Sequence, residues 1–119
     1  MSPADSRLRV RDQDGVTVVE FVDRNILDEA NIAQITDEMM GLIAGNPRPR
    51  LLISFANVEH LSSAALGALI KINMTIKEND GQLRLANIND QIFEVFQITR
   101  LDQLFQVHPS TAEALASFR

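Results

Sequence analysis

The chain has 119 residues, 45% of them hydrophobic, a net charge of -5 and no cysteine. That length suits one hydrophobic core, read here as a single domain over residues 7–119 behind a flexible tail at 1–6. The missing cysteine excludes disulfides, thiol chemistry and cysteine-ligated zinc, the acidic balance argues against a nucleic-acid partner, and no apolar run approaches the roughly 18 residues that span a bilayer. No membrane partner is expected, and a cytoplasmic location fits.

Leu8 and Val10 alternate with Arg7, Arg9 and Arg11, which predicts a half-exposed edge strand whose basic side chains deter further pairing. Asp12-Gln13-Asp14-Gly15 supplies turn chemistry for a hairpin to a second strand, Val16 to Val22. A polar connection follows, in which Asn25 can take a left-handed conformation cheaply and Asp28 suits a helix N-cap. Ile32, Ile35, Met39 and Leu42 recur at spacings of three and four, so residues 29–44 form an amphipathic helix, stopped by Gly45-Asn46-Pro47. Arg50 to Phe55 is apolar on both faces, the pattern of a strand in mid-sheet with helices on each side.

A second helix starts near Ser63 and runs to about Asn79, and Gln82 to Ala86 alternates as the next strand, with Leu83 and Leu85 inward. Asp90 begins a third helix that buries Ile92, Val95 and Phe96. Leu104 to Val107 reads as a short strand. Ser110-Thr111-Ala112-Glu113 has capping-box spacing for a last helix carrying Leu115 and Phe118. The predicted fold is α/β: a mixed central sheet of four to five strands, an N-terminal hairpin plus parallel strands, with about four helices.

The most informative stretch is the strand-to-helix junction from Val58 to Ile70. Two serines, Ser62 and Ser63, stand at the positive end of a helix dipole. At 100° per residue, Ala65, Ala68, Leu69, Ile72 and Ile76 share one side of this helix and can face the sheet. Leu66, Gly67, Ile70 and Met74 gather nearly opposite, on the side of Ser63. Either another element of the chain buries this second strip, with Met74 as core filler, or it is a docking face on which Gly67 permits close backbone approach. Likewise Ser62 and Ser63 are either a plain cap and first-turn residue or a regulated pair.

Enzymatic alternatives lack their residues. His60 lies near the serines, yet no Gly-x-Ser-x-Gly elbow is present, and His108 precedes Pro109 in a loop. No metal spacing, Walker loop or Gly-x-Gly-x-x-Gly occurs, so no cofactor, metal or catalytic residue is expected. A phosphoacceptor receiver domain would need an Asp ending the central strand, where Phe55 and Ala56 stand.

The segment Val58 through Gly67 resembles the motif of the STAS domain family, the module of bacterial anti-sigma factor antagonists and sulphate-transporter tails. In antagonists the strand leads into an apolar residue and then Asp-Ser-Ser/Thr-Gly-Leu-Gly. Aligned without a gap, Leu61 takes the apolar position, Ser62 the Asp, Ser63 the phosphorylated serine, Ala64 the second hydroxyl residue and Ala65 the first Gly, while Leu66 and Gly67 match. Asn25-Ile26-Leu27-Asp28 resembles the family's Gly-x-Leu-Asp, with Asp28 matching an Asp near the phosphorylation site. The likeness in element order spans residues 7–118. It implies a STAS fold and a phosphorylation-switched antagonist, with Ser63 as acceptor ahead of Ser62 and Asp28, Ser62, Ser63, Leu66, Gly67, Ile70 and Met74 at the partner face. The implied partners are an anti-sigma factor with serine kinase activity and a PP2C-type phosphatase. The alternative is an unphosphorylated STAS scaffold or sensor, self-associating as a homodimer through the same face.

Overall fold

The computed structural model describes residues 8–26 and 28–118; the tail expected at 1–6 lies outside them. Strands β1 (Leu8–Gln13) and β2 (Val16–Phe21) form the expected hairpin. Its two-residue turn places Asp14 at φ 55° and Gly15 at φ 79°, the paired positive angles that match the twist of the flanking strands. A two-residue strand β3 (Asn25–Ile26) precedes helix α1 (Glu29–Ala44), which matches the predicted span. Next come β4 (Arg50–Ser54), the short β5 (His60–Leu61), α2 (Ser63–Glu78) and β6 (Gln82–Ala86). Helix α3 (Asp90–Ile98), the single turn α4 (Leu101–Leu104), β7 (Gln106–His108) and α5 (Thr111–Ala116) complete the chain.

The main sheet has the order β1-β2-β4-β6-β7, antiparallel in the hairpin and parallel elsewhere. Because side chains alternate across a strand, the register sorts the core into two layers. Val19, Ile53 and Leu85 align on one face, where α1, α2 and α3 contribute Ile35, Met39, Leu69, Ile72, Ile92 and Phe96. Val18, Leu52 and Arg84 align on the other, where α5 and the residues just after it cover Val16, Val18, Leu52 and Ala86 with Ala114, Leu115 and Phe118. Strand β4 is therefore central and covered on both sides, as its apolar run implies.

The arginine among these apolar neighbours is held by aromatic and polar contacts. Arg84 donates from Nε to Ser117 Oγ at 3.0 Å and from Nη1 to the carbonyl of Leu83 at 3.1 Å. Its guanidinium carbon lies 4.8 Å from the Phe118 ring centroid. Burial lowers its pKa from the ordinary arginine value.

Several local expectations need correction. Val10 is 47% exposed: it opposes Val19, but on the outermost strand. β2 ends at Phe21, leaving Val22 exposed. Asn25 is extended in β3; among the described residues the left-handed non-glycine positions are Asp14, Asp80, Asn87 and Arg100. Val95 is 42% exposed, because a nine-residue helix buries only a narrow stripe through Ile92 and Phe96, and Val95 lies about 80° off its centre. Leu104 closes α4 rather than opening a strand; left-handed Arg100 ends α3, and buried Leu101 starts a fresh turn. The described helices thus number five.

Gly81 is the tightest point of the frame. A Cβ built there would overlap the Pro49 carbonyl oxygen and lie 2.7 Å from Pro49 Cγ and 2.9 Å from Ile76 Cγ2. The same carbonyl accepts the Gln82 amide at 2.8 Å, so it cannot retreat without loosening the entry to β6. Gly81→Ala is expected to cost about 1–3 kcal/mol of unfolding free energy, read from urea denaturation; an unchanged midpoint would refute this close approach.

Candidate functional site

The two serines stand where β5 meets α2, beside the start of α1. The link is a two-residue parallel bridge, Asn25 paired with His60 and Ile26 with Leu61. The Ser62 amide donates to the Ile26 carbonyl at 3.1 Å, and the amides of Glu59 and His60 donate to the Arg24 carbonyl at 2.7 and 3.2 Å. Both chains then turn into helices, so the N-termini of α1 and α2 emerge next to each other. The connection from β4 is braced from the far side: the Asn89 side-chain amide donates to the carbonyls of Val58 and Glu59 at 3.2 and 3.4 Å.

Each helix start is capped, but differently. The Asp28 carboxylate accepts the Ala30 amide at 2.7 Å and the Asn31 amide at 3.4 Å. It supplies both hydrogen bonds and negative charge to the positive end of α1. Ser62 Oγ accepts the Ala65 amide at 3.2 Å, which supplies the hydrogen bond without the charge. No acidic residue lies in the first turn of α2. The amides of Ser63 and Ala64 have no protein acceptor among the described residues, and both residues are exposed. The hydroxyl of Ser63 is likewise without a partner among the described residues.

The predicted outer strip is partly as expected and partly not. Ser63, Gly67, Ile70 and Met74 stand at i, i+4, i+7 and i+11 and so form one row along α2. Gly67 is exposed with nothing within 4 Å of where a Cβ would stand, Ile70 is half-buried, and Met74 is 58% exposed. Leu66 is a correction: at 9% exposure it belongs to the core cluster that includes Ile92, Phe96, Leu101 and Phe105, so it supports the row from beneath. Asp28 is exposed at the neighbouring helix start. Sequence reasoning missed the β3–β5 bridge and the brace from Asn89. The only trace of either was the apolar pair Ile26-Leu27, and no local spacing ties Asn89 to residues about 30 positions earlier.

The chain thus combines a mixed five-stranded sheet carrying an N-terminal hairpin, neighbouring helices α1 and α2, and a serine-bearing α2 start in one α/β architecture. The STAS domain family model matches residues 7–114, and the chain belongs to that family. A protein of Bordetella bronchiseptica named as an anti-sigma factor antagonist, BtrV, is 24% identical over 96 residues, covering 81% of this chain and 82% of the relative. The STAS anti-sigma-factor antagonist structure from Planctomyces limnophilus superposes with a TM-score of 0.85 at 26% identity, covering 92% of this chain and 96% of that one. The Bacillus cell fate determinant SpoIIAA, in its phosphorylated form, shares the fold at a TM-score of 0.70 and 15% identity, covering 94% and 99%.

The geometry separates the two serines. Ser62→Ala removes a cap and is expected to cost about 1 kcal/mol, whereas Ser63→Ala should stay within about 0.5 kcal/mol of the parent. Chemical denaturation of the two variants checks this; equal losses would contradict the division of roles.

Proposed function

We propose that this protein is an anti-sigma factor antagonist whose grip on its anti-sigma factor is switched by phosphorylation of Ser63. The carrying observation is a free, exposed hydroxyl at an uncompensated helix N-terminus, in line with the row through Gly67, Ile70 and Met74. A phosphate adds about -1.5 to -2 charges and three strong acceptors. Its oxygens have unpaired amides of Ser63 and Ala64 within the same turn, and the dipole favours the charge. The same charge at the head of an apolar row opposes a docked apolar surface. Asp28 at the adjacent helix start adds like-charge repulsion that directs the group outward.

The role is binding, not catalysis, in keeping with the names of the relatives. The proposed partners are an anti-sigma factor with serine kinase activity, which installs the phosphate, and a PP2C-type phosphatase, which removes it. The site of action is the cytoplasm, and residues 7–119 act as one domain. No helix among the described residues is long and apolar enough to cross a membrane.

Incubation with the cognate anti-sigma kinase and ATP should add one phosphate, mapped to Ser63 by mass spectrometry, and release the complex. Ser63→Asp should weaken capture on the order of tenfold or more by introducing the charge alone. A scaffold or homodimer that never meets a kinase would show no phosphate at Ser63 and intact assembly in Ser63→Asp.

Gly67→Ala gives an independent check. The open space around Gly67 means that alanine should raise helix stability by about 0.5–1 kcal/mol. Capture of the anti-sigma factor should nevertheless weaken, because the added methyl group holds the two backbones apart. Calorimetric titration beside thermal unfolding separates the two effects; a variant that is stabilised and binds as tightly as the parent would remove Gly67 from the docking row.

A further inference from the structure

Sulfur in this chain is confined to thioethers: there are four methionines and no cysteine. With no thiolate to intercept an oxidant, methionine oxidation is the sulfur chemistry open to it. The three methionines among the described residues are placed very differently. Met39 is 0% exposed in the core beneath α1, and Met40 is half-buried against the same cluster. Met74 is 58% exposed on α2. An oxidant in solution therefore reaches Met74 ahead of the other two.

Met74 also stands where its polarity matters. It closes the row that runs from Ser63 through Gly67 and Ile70, about 16 Å along the helix from the serine. Ile70 and Met74 are the large apolar side chains of that row. Lys71 and Lys77 precede and follow Met74 by three residues, which sets them about 60° to either side of it. Both lysines are exposed and have no partner among the described residues, and Glu78, at i+4, adds one carboxylate to that flank. A thioether is a weak acceptor. A sulfoxide oxygen is a strong one, and the two ammonium groups supply donors for it on the same helix.

We propose that Met74 is a redox-sensitive modification site: oxidation of its thioether to the sulfoxide by a hydroperoxide weakens capture of the anti-sigma factor independently of Ser63. This rests on the docking row of the proposed function. The sulfur attacks the terminal oxygen of the hydroperoxide, an S–O bond forms and the O–O bond breaks. Sulfur loses two electrons and the peroxide gains them. The proton of the transferred hydroxyl passes to the leaving oxygen, which departs as water or an alcohol. The product carries a polar oxygen that a docked apolar surface has to desolvate. The fold is indifferent to the change, because Met74 lies outside the buried face of α2. A methionine sulfoxide reductase reverses it. Phosphate acts at the head of the row and the sulfoxide at its foot, so neither needs the other.

The test is to treat the full chain with hydrogen peroxide, remove the excess with catalase, and follow peptide mass mapping, thermal unfolding and titration with the anti-sigma factor. Met74 should gain one oxygen before Met39 and Met40 do, with the unfolding midpoint unchanged and capture weakened about tenfold. Sulfoxide reductase should restore capture. Met74→Leu keeps an apolar side chain of similar volume, so it should bind as the parent does and lose nothing to peroxide. Met74→Gln places a permanent polar group there and should bind weakly with or without peroxide. The proposal is overturned if Met39 or Met40 is oxidised first, if the Met74 sulfoxide is captured as tightly as the parent, or if Met74→Leu loses capture in peroxide to the same extent. Ser63→Asp separates it from the docking row: capture lost there but kept in the sulfoxide overturns the redox site alone, whereas capture unchanged in both Ser63→Asp and Met74→Gln overturns the row itself.

Discussion

The site depends on a very small piece of sheet. Two residues of β3 pair with two of β5, and the hydrogen bond from Ser62 to Ile26 continues that pairing to the threshold of α2. Two helices thereby begin side by side with their positive ends together, an arrangement that electrostatics alone would not favour. The caps relieve it unequally. Asp28 brings a full negative charge to α1, while Ser62 brings only a hydroxyl to α2. The residual positive character therefore sits at Ser63, where an added anion is best tolerated.

That inequality gives physical meaning to a departure from the family motif. Where the motif has Asp before the acceptor serine, this chain has Ser62. Asp and Ser are comparable N-caps, so the hydrogen bond to Ala65 survives the exchange and only the charge is lost. The second departure, Ala65 for Gly, falls on a buried position inside the first helical turn. A methyl group is accommodated there without left-handed backbone, and alanine is the better helix former.

Helix α2 carries three separate tasks on its surfaces. Ala65, Leu66, Leu69, Ile72 and Ile76 bury against the core, and each large apolar side chain so buried is worth about 1.5–3 kcal/mol. That sum comfortably exceeds the roughly 1 kcal/mol that Gly67 costs an exposed helical turn. The helix can therefore keep a bare backbone patch in the row from Ser63 to Met74. Its last turns turn polar, with Asn73 and Lys77 meeting the edge of β6, while Arg84 ties that edge to α5 through Ser117 and Phe118.

Much of this was written locally. Apolar spacing of three and four marked α1 from residue 29 to 44, an Asp-Gly turn marked the hairpin, and a two-sided apolar run marked β4 as central. Asp28 and the Ser62-Ser63 pair were recognisable at helix starts, because a cap and its helix lie within one turn of sequence. What no local pattern could express was contact between distant segments. The pairing of Ile26 with Leu61, the brace from Asn89 to Val58, the burial of Leu66 and Arg84, and the exposure of Val95 all depend on which element packs where. A side chain's position on its own helix follows from 3.6 residues per turn, but the surface opposite it exists only once the chain has folded.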